Sequence, residues 1–304
     1  MTATTLKPTQ LPEIDLLCPS DLQDALAHLS DGACALAGGT DIILWASQQG
    51  EPRRLVWTGA VSEMRGMDFE QEVVRLGAAT TLSELIRSRR FREAVPAVVD
   101  GAQRVGSVQL RNQATLVGNL CTASPAGDTI PGLLVHDARV LLLDASGRHR
   151  ELGLQEFVLG PGKTALSKGE LVLALSLSPL APGEMSLYRR FTQREVLDVA
   201  TASVSVRVSF EPDQRTVREA RLALGAVAPT VIEAKHAASI LCGTLLDDAT
   251  LRTCAAAAVA ESAPISDHRA GADYRRQLIA TLIVDALTEV RRQAAPGIGE
   301  GAPK

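Results

Sequence analysis

Residues 111–128, with the sequence RNQATLVGNLCTASPAGD, are unusually dense in small and hydroxyl-bearing residues. Small side chains leave backbone amides accessible to a polar ligand, and groups such as Thr115, Asn119 and Ser124 can hydrogen-bond to it directly. Asp128 stands where a helix N-cap or an acceptor for a ligand hydroxyl would be useful. The alternative is a surface loop with a good cap, but part of the run is too apolar for a fully solvated loop. The run therefore favours a partly enclosed binding segment.

A second glycine-rich turn, LAGGTDIIL at residues 36–44, lies upstream. It follows a short apolar strand candidate and leads into a helical run, and this order offers backbone N–H groups and the positive end of a helix to a phosphate. Gly38 and Gly39 let the chain turn and let a phosphate approach, while Thr40 and Asp41 can cap the helix. The turn has neither a Walker lysine nor a G-x-G-x-x-G pattern. Alone, it is as consistent with a tight turn as with an anion site.

Together the two turns resemble those of the FAD-binding medium subunit of the molybdenum hydroxylase (xanthine dehydrogenase) family. Relatives in that family include the flavin subunits of aerobic carbon monoxide dehydrogenase and of bacterial N-heterocycle hydroxylases. The family pattern is a glycine-rich first turn, then T-x-G-G-N followed by S-P-x-x-D, and Val117 stands where the first of the two later glycines is commonest. The matching residues of the second turn are Thr115, Gly118, Asn119, Ser124, Pro125 and Asp128. The resemblance implies that the first turn carries the flavin pyrophosphate and that the second lines the rest of the cofactor.

The C-terminal part of the chain extends this resemblance. The segments RRFTQREVLDVA, LGAVAPTVIEA and ISDHRAGADYRRQLIATLI are similar to the small C-terminal domain of the same family. Relatives often place a lysine near the flavin in a K-x3-R-x3-D-x-A pattern, and here Arg190 takes that position, followed by Arg194 and Asp198. A guanidinium keeps the charge but changes reach and geometry. A solvated surface arginine is the alternative for Arg190.

The resemblance implies FAD in this chain, and molybdopterin and [2Fe–2S] clusters only in partner subunits. No residue pair is arranged for acid–base work on a substrate, so we assign no catalytic residue and no metal ligand. The residues assigned to FAD are Ala37, Gly38, Gly39, Thr40, Asp41, Thr115, Leu116, Val117, Gly118, Asn119, Ser124, Asp128, Leu171 and Arg190.

The order of sequence signals predicts an α+β fold. Residues 20–29 form an amphipathic helix capped by Ser20, and with strands at 33–36 and 54–57 they predict a small parallel βαβ sheet. A hairpin at 67–77 and a helix at 80–87, capped by Thr81 or Ser83, begin a mixed or antiparallel sheet with helices.

Domain boundaries follow from a change of pattern at PLAPG, residues 179–183. We expect an FAD-binding domain over 1–178, with subdomains of about 1–60 and 61–178. A small α+β C-terminal domain with an antiparallel sheet follows over 184–292, and a flexible tail over 293–304. In the C-terminal domain TASVSVRVSF at 201–210 alternates as a half-buried antiparallel strand.

Composition limits the classes of partner. The 304 residues carry a net charge of −4 without a basic stripe, which argues against nucleic acid. No apolar run is long enough for a membrane span, and residues 1–14 lack a secretory signal, so we expect a cytoplasmic protein. The five cysteines are odd in number with no C-x-x-C pair, which predicts free thiols rather than a metal or iron–sulfur site.

The function implied by the resemblance is electron transfer in a molybdenum hydroxylase. Electrons would pass from a large molybdopterin subunit through a small [2Fe–2S] subunit to FAD here and then to an external acceptor, in a dimer of heterotrimers. Two alternatives are a stand-alone FAD-dependent reductase of the same fold and a flavin-free scaffold subunit. The substrate and the electron acceptor are left open by the sequence.

Overall fold

The computed structural model describes residues 13–294, which begin with a three-stranded parallel sheet. Its elements, in chain order, are β1 (Asp15–Leu17), α1 (Leu22–Ser30), β2 (Cys34–Leu36), α2 (Ile42–Gln49) and β3 (Arg54–Trp57). The strand order β1-β3-β2 confirms the predicted βαβ arrangement. The prediction that Ser20 caps α1 is wrong, because Asp21 is the N-cap and its carboxylate accepts the Asp24 N–H at 2.9 Å.

A larger antiparallel sheet and a group of short helices follow. The elements, in chain order, are two 3₁₀ turns (Thr58–Ala60 and Ser62–Met64), β4 (Met67–Phe69), β5 (Val74–Gly77), α3 (Leu82–Arg87), α4 (Arg89–Ala94), α5 (Pro96–Arg104), α6 (Val108–Arg111), α7 (Leu116–Cys121), α8 (Ile130–Val135), β6 (Arg139–Asp144), β7 (His149–Gly153), α9 (Leu154–Phe157), β8 (Val158–Gly160), β9 (Lys163–Thr164) and β10 (Glu170–Leu177). The sheet order is β4-β5-β10-β6-β7, with every pair antiparallel.

Local signals for this region are confirmed. The hairpin predicted at 67–77 is the β4–β5 pair. Thr81 caps α3 through a capping box: its hydroxyl accepts the Glu84 N–H at 3.2 Å, and the Glu84 carboxylate accepts the Thr81 N–H at 2.7 Å. This reciprocal pairing satisfies N–H groups that a helix start otherwise leaves unpaired.

The C-terminal region, residues 184–294, has its own antiparallel sheet and its own apolar core. Its elements, in chain order, are β11 (Met185–Phe191), β12 (Ala202–Phe210), β13 (Val217–Gly225), β14 (Ile232–Glu233), α10 (Lys235–Leu241), α11 (Asp248–Glu261) and α12 (Ala272–Ala294). The α+β fold class is therefore confirmed for both regions. Helix α12 still includes Gln293 and Ala294, the start of the predicted tail; residues 295–304 lie outside the described part of the chain.

Strand β12 differs from its prediction in burial. It was predicted to be half-buried, but both of its faces are covered. Its valines belong to the apolar core of the C-terminal region, whereas Ser203 and Ser205 are buried on the opposite face, the side against which α8 packs. Alternation records which face is more apolar, and it does not exclude that the polar face meets another part of the protein.

No helix within residues 13–294 is both long and apolar enough to cross a membrane.

Candidate cofactor site

A cavity of about 630 Å³ lies where the two glycine-rich turns meet. Its size falls within the roughly 300–1,000 Å³ of small-molecule sites. Residues 37–42 and residues 114–122 both contribute to its walls, and the rest comes from segments 29–35, 105–110 and 166–172 together with isolated residues. The tertiary structure therefore brings the two turns to one site.

Gly38 is required by the contact between the turns. A Cβ atom at this position would lie 2.0 Å from the carbonyl oxygen of Gln113 and 2.9 Å from the Cα of Ala114. We assigned Gly38 to the approach of a ligand, but the structure shows that its missing side chain first allows two backbones to touch. Sequence reasoning missed this role because the partner lies far along the chain.

Gly39 has a different reason to be glycine. Its φ is +71°, in the left-handed region that side chains disfavour. The turn it makes leads from β2 into α2, where Asp41 occupies the N-cap position without a side-chain capping bond. The expectation that Asp41 caps α2 is therefore wrong: its carboxylate accepts the hydroxyl of Thr122 at 2.8 Å. No side chain caps the start of α2, although the Ile43 N–H donates to the Gly39 carbonyl at 3.3 Å, and the positive end of the helix can attract an anion.

The second turn contains a short helix, α7. Thr115 caps α7, and its hydroxyl accepts the Gly118 N–H at 2.9 Å. Asn119 lines the cavity, and its side-chain oxygen accepts the hydroxyl of Thr129 at 2.7 Å. Val117 is buried within α7 with an ordinary helical backbone, so a side chain is tolerated where relatives often have glycine.

Charged groups in the cavity wall are few among residues 13–294: Asp41, Lys168 and Glu170. Both carboxylate oxygens of Glu170 receive bonds of 2.7 Å from Arg150, which lowers the pKa of Glu170. Burial raises the pKa of the Cys121 thiol, also in the wall, to about 12. Cys121 is therefore a neutral thiol at ordinary pH and unsuited to act as a nucleophile or thiolate ligand.

Asp128 and Arg190 lie together, but outside the cavity wall. The Asp128 carboxylate accepts the Tyr188 hydroxyl at 2.5 Å and the Arg190 guanidinium at 2.7 Å. Burial raises the pKa of Asp128, while these two donors oppose the shift. The side chain of Arg190 is only 6% exposed, so a solvated surface arginine is excluded. Asp128 is not the N-cap of α8 either, since Thr129 holds that position.

Most of the predicted site residues are brought together. Those in the cavity wall are Ala37, Gly38, Gly39, Thr40, Asp41, Thr115, Val117, Gly118, Asn119 and Leu171. Those placed outside it are Leu116, Ser124, Asp128 and Arg190. Sequence reasoning missed Thr122 and Trp45; Thr122 stood in the hydroxyl-rich run, and Trp45 stands four residues after Asp41, on the same side of α2.

Comparison with known families shows which cofactor the chain binds. Residues 12–179 match the model of the FAD binding domain in molybdopterin dehydrogenase, and residues 186–290 match that of the CO dehydrogenase flavoprotein C-terminal domain. The chain belongs to the FAD-binding family of the molybdopterin dehydrogenases. It is thus an FAD-binding subunit of an oxidoreductase, as the two turns predicted.

Curated relatives of this FAD-binding subunit cover most of its length. It is 30% identical over 274 residues to the putative xanthine dehydrogenase FAD-binding subunit of Escherichia coli (strain K12), covering 88% of this chain and 92% of that protein. It is 27% identical over 280 residues to the carbon monoxide dehydrogenase medium chain of Hydrogenophaga pseudoflava, covering 91% of this chain and 96% of that protein.

Solved structures agree with the sequence relatives. The reconstituted CO dehydrogenase from Oligotropha carboxidovorans has a matching chain with a TM-score of 0.87 and 27% identity, covering 93% of this chain and 99% of that one. The carbon monoxide dehydrogenase of Hydrogenophaga pseudoflava that lacks the Mo-pyranopterin moiety has a matching chain with a TM-score of 0.88 and 26% identity. The match covers 94% of this chain and 100% of that one.

The cavity of this FAD-binding subunit fits the chemistry of its cofactor. The uncapped start of α2 beside Gly39 suits a diphosphate, because its N–H groups can donate to phosphate oxygens. Thr115 and Asn119 supply polar atoms, and Val117 and Leu171 supply apolar surface for flat rings.

Proposed function

We propose that this chain is the electron-transfer subunit of a multi-subunit molybdenum hydroxylase. In this role it receives electrons from the [2Fe–2S] clusters of a small partner subunit and passes them to an external acceptor. The observation that carries the proposal is that both family turns line one cavity and are joined by the Asp41–Thr122 hydrogen bond. Bound FAD supplies the redox chemistry, since its ring exchanges one or two electrons.

The residues proposed to hold FAD act in two groups. Residues 37–41 bind the diphosphate through backbone N–H groups at the start of α2, where the helix dipole favours negative charge. Thr115, Gly118 and Asn119 bind polar atoms of the ribityl chain and of the ring, and Leu171 packs against the ring.

The remaining predicted residues are proposed to act from behind the cavity wall. Asp128 and Arg190 neutralise each other and join β11 to the segment before α8, so they hold the C-terminal region against the cofactor-binding region. Ser124 accepts the Ala126 N–H at 3.3 Å and shapes the turn before Asp128, while Leu116 is buried in the core beneath α7.

The proposed partners are a large molybdopterin subunit and a small [2Fe–2S] subunit, assembled as a cytoplasmic dimer of heterotrimers. Several relatives carry names that imply assembly, such as the medium chains of CO dehydrogenase and a subunit of the 6-hydroxypseudooxynicotine dehydrogenase complex. The stand-alone reductase is disfavoured because the two carboxylates found in the cavity wall among residues 13–294, Asp41 and Glu170, already accept hydrogen bonds from Thr122 and Arg150.

The experiment that tests this function is co-purification combined with a visible spectrum. The chain is expressed with its genomic neighbours, isolated through a tag, and the cofactor released by heat is identified. Bound FAD together with molybdopterin and iron–sulfur partners is the expected result. FAD with no partner would support the stand-alone reductase instead, and partners without flavin would support the scaffold alternative.

A further inference from the structure

Trp45 forms part of the cavity wall beside the turn that is proposed to bind the diphosphate. It lies in α2, and its backbone N–H donates to the Asp41 carbonyl at 3.0 Å, so it stands one helical turn after the N-cap residue. Of the described residues that line the cavity, Trp45 is the one with an aromatic side chain. A planar apolar surface is thus placed within the cavity.

The indole of Trp45 stacks on no other aromatic ring of the described part of the chain. The aromatic pairs found among residues 13–294 are Phe69 with Phe91 and Phe191 with Tyr274. Trp45 remains 41% exposed although it lies in a concave wall. An exposed large aromatic surface at a cofactor cavity marks where a flat apolar group can bind, because stacking removes apolar area from water.

FAD carries two flat rings, and their attachments differ in length. Adenine is joined to the diphosphate through one ribose, whereas the isoalloxazine ring is joined through the five-carbon ribityl chain. Trp45 follows Asp41 by four positions, which is a rise of about 6 Å along the helix, so Trp45 is close to the diphosphate turn. The groups suited to the flavin half, Thr115, Asn119 and Leu171, come from the other segments of the wall.

We propose that the indole of Trp45 stacks on the adenine ring of FAD. This inference rests on the proposed cofactor site and adds to it a residue that recognises the adenosine half of FAD. The stack makes the site selective for the dinucleotide: FMN, which lacks adenine, gains nothing from Trp45.

The second tryptophan of the chain provides a matched control. Trp57 is 40% exposed, nearly the same as Trp45, but it is absent from the cavity wall. A Cβ atom on Gly59 would lie 2.6 Å from the Trp57 ring, so the backbone of Gly59 packs against part of that ring. Each tryptophan can therefore be observed alone, in the Trp57→Phe and Trp45→Phe variants of the full chain.

The test is titration of the flavin-free full chain with FAD, ADP and FMN while tryptophan emission is recorded. In the Trp57→Phe variant, ADP quenches the emission of Trp45; in the Trp45→Phe variant, it leaves the emission of Trp57 unchanged. Calorimetry on Trp45→Ala gives roughly tenfold weaker binding of FAD and of ADP, in line with base–aromatic stacking, and unchanged binding of FMN. Trp45→Phe keeps most of the affinity because it keeps a ring.

The possible outcomes separate this inference from the function beneath it. Tight FAD binding with no response of Trp45 to ADP, or with the same affinity in Trp45→Ala, overturns the stacking and leaves the site intact. Quenching by FMN but not by ADP puts the indole against the isoalloxazine ring and overturns the proposal as stated. Failure of the unsubstituted chain to bind FAD, alone or with partners, overturns both.

Discussion

The hydroxyl of Thr122 donates a 2.8 Å hydrogen bond to the carboxylate of Asp41, 81 residues earlier in the chain, and this bond joins the two glycine-rich turns. One turn begins α2 and the other contains α7, so the bond fixes the spacing of the cavity walls. Bound FAD contacts both walls in the proposed site. Its affinity therefore depends on how firmly the two turns are held together.

Thr122→Val tests this contact with little change of shape. The variant removes a hydrogen bond to a charged group, and such a bond typically contributes about 1.5–3 kcal/mol. Because Asp41 is partly exposed, we expect a loss in the lower part of this range, which corresponds to roughly tenfold weaker FAD binding. The release of flavin during dialysis measures this loss of affinity. Thr253→Val is the matched control, because that hydroxyl donates to Ala249 in the remote α11. Equal flavin retention in the two variants would remove the contact from the site.

Gly38→Ala is predicted to separate the turns. The added Cβ would overlap the backbone of Gln113, which cannot move without shifting the start of α7. We expect loss of FAD binding and a lower melting temperature. Gly271→Ala, at a position with open space around it, should change neither quantity. A Gly38→Ala protein that keeps stoichiometric FAD would contradict the close approach seen here.

Asp128→Ala distinguishes a clamp between regions from a cofactor ligand. Removing the carboxylate leaves Arg190 buried without its counter-ion, which typically costs about 3–5 kcal/mol of unfolding free energy. Tyr188→Phe removes one hydrogen bond and keeps the ion pair, so we expect it to lower the free energy of unfolding by about 1 kcal/mol. Denaturant unfolding of the flavin-free chain measures both. Unchanged stability together with lost FAD would instead make Asp128 a ligand.

His136 gives the protein a predicted acid sensitivity. It is fully buried, with Nδ1–H donating to the Ser178 carbonyl and Nε2 accepting from the Ser186 hydroxyl, each at 2.8 Å. Burial is the main cause that lowers the pKa of His136 to about 3. The unfolded chain, with a pKa near 6.5, therefore binds a proton that the folded chain does not.

Because the unfolded chain takes up the proton at His136 and the folded chain does not, lowering the pH destabilises the fold. Stability is unaffected by His136 above pH 6.5 and falls as the pH drops from 6.5 towards 3, by about 2 kcal/mol at pH 5. His136→Gln, which cannot take up the proton, should be less stable at pH 7 but show a smaller loss between pH 7 and pH 5. Denaturant midpoints at the two pH values give the comparison. Parallel losses in both proteins would contradict the assignment.

The sequence by itself determined the local elements and the family. Glycine at position 39 indicated a turn before α2, Thr81 or Ser83 indicated the start of α3, and alternation indicated β12. These signals are readable because each depends on backbone geometry or on neighbours within a few residues. Of the fourteen cofactor residues predicted with the help of the family resemblance, ten lie in the cavity wall.

Only the tertiary structure decided which side chains meet. Asp128 was suited by its sequence to a helix cap or to a ligand hydroxyl, and it forms an ion pair instead because β11 packs beside it and presents Tyr188 and Arg190 on one face. Asp41 could cap α2, but Thr122 lies within reach of its carboxylate. Contacts between distant segments depend on how sheets and helices pack, and the spacing of residues along the chain does not record that packing.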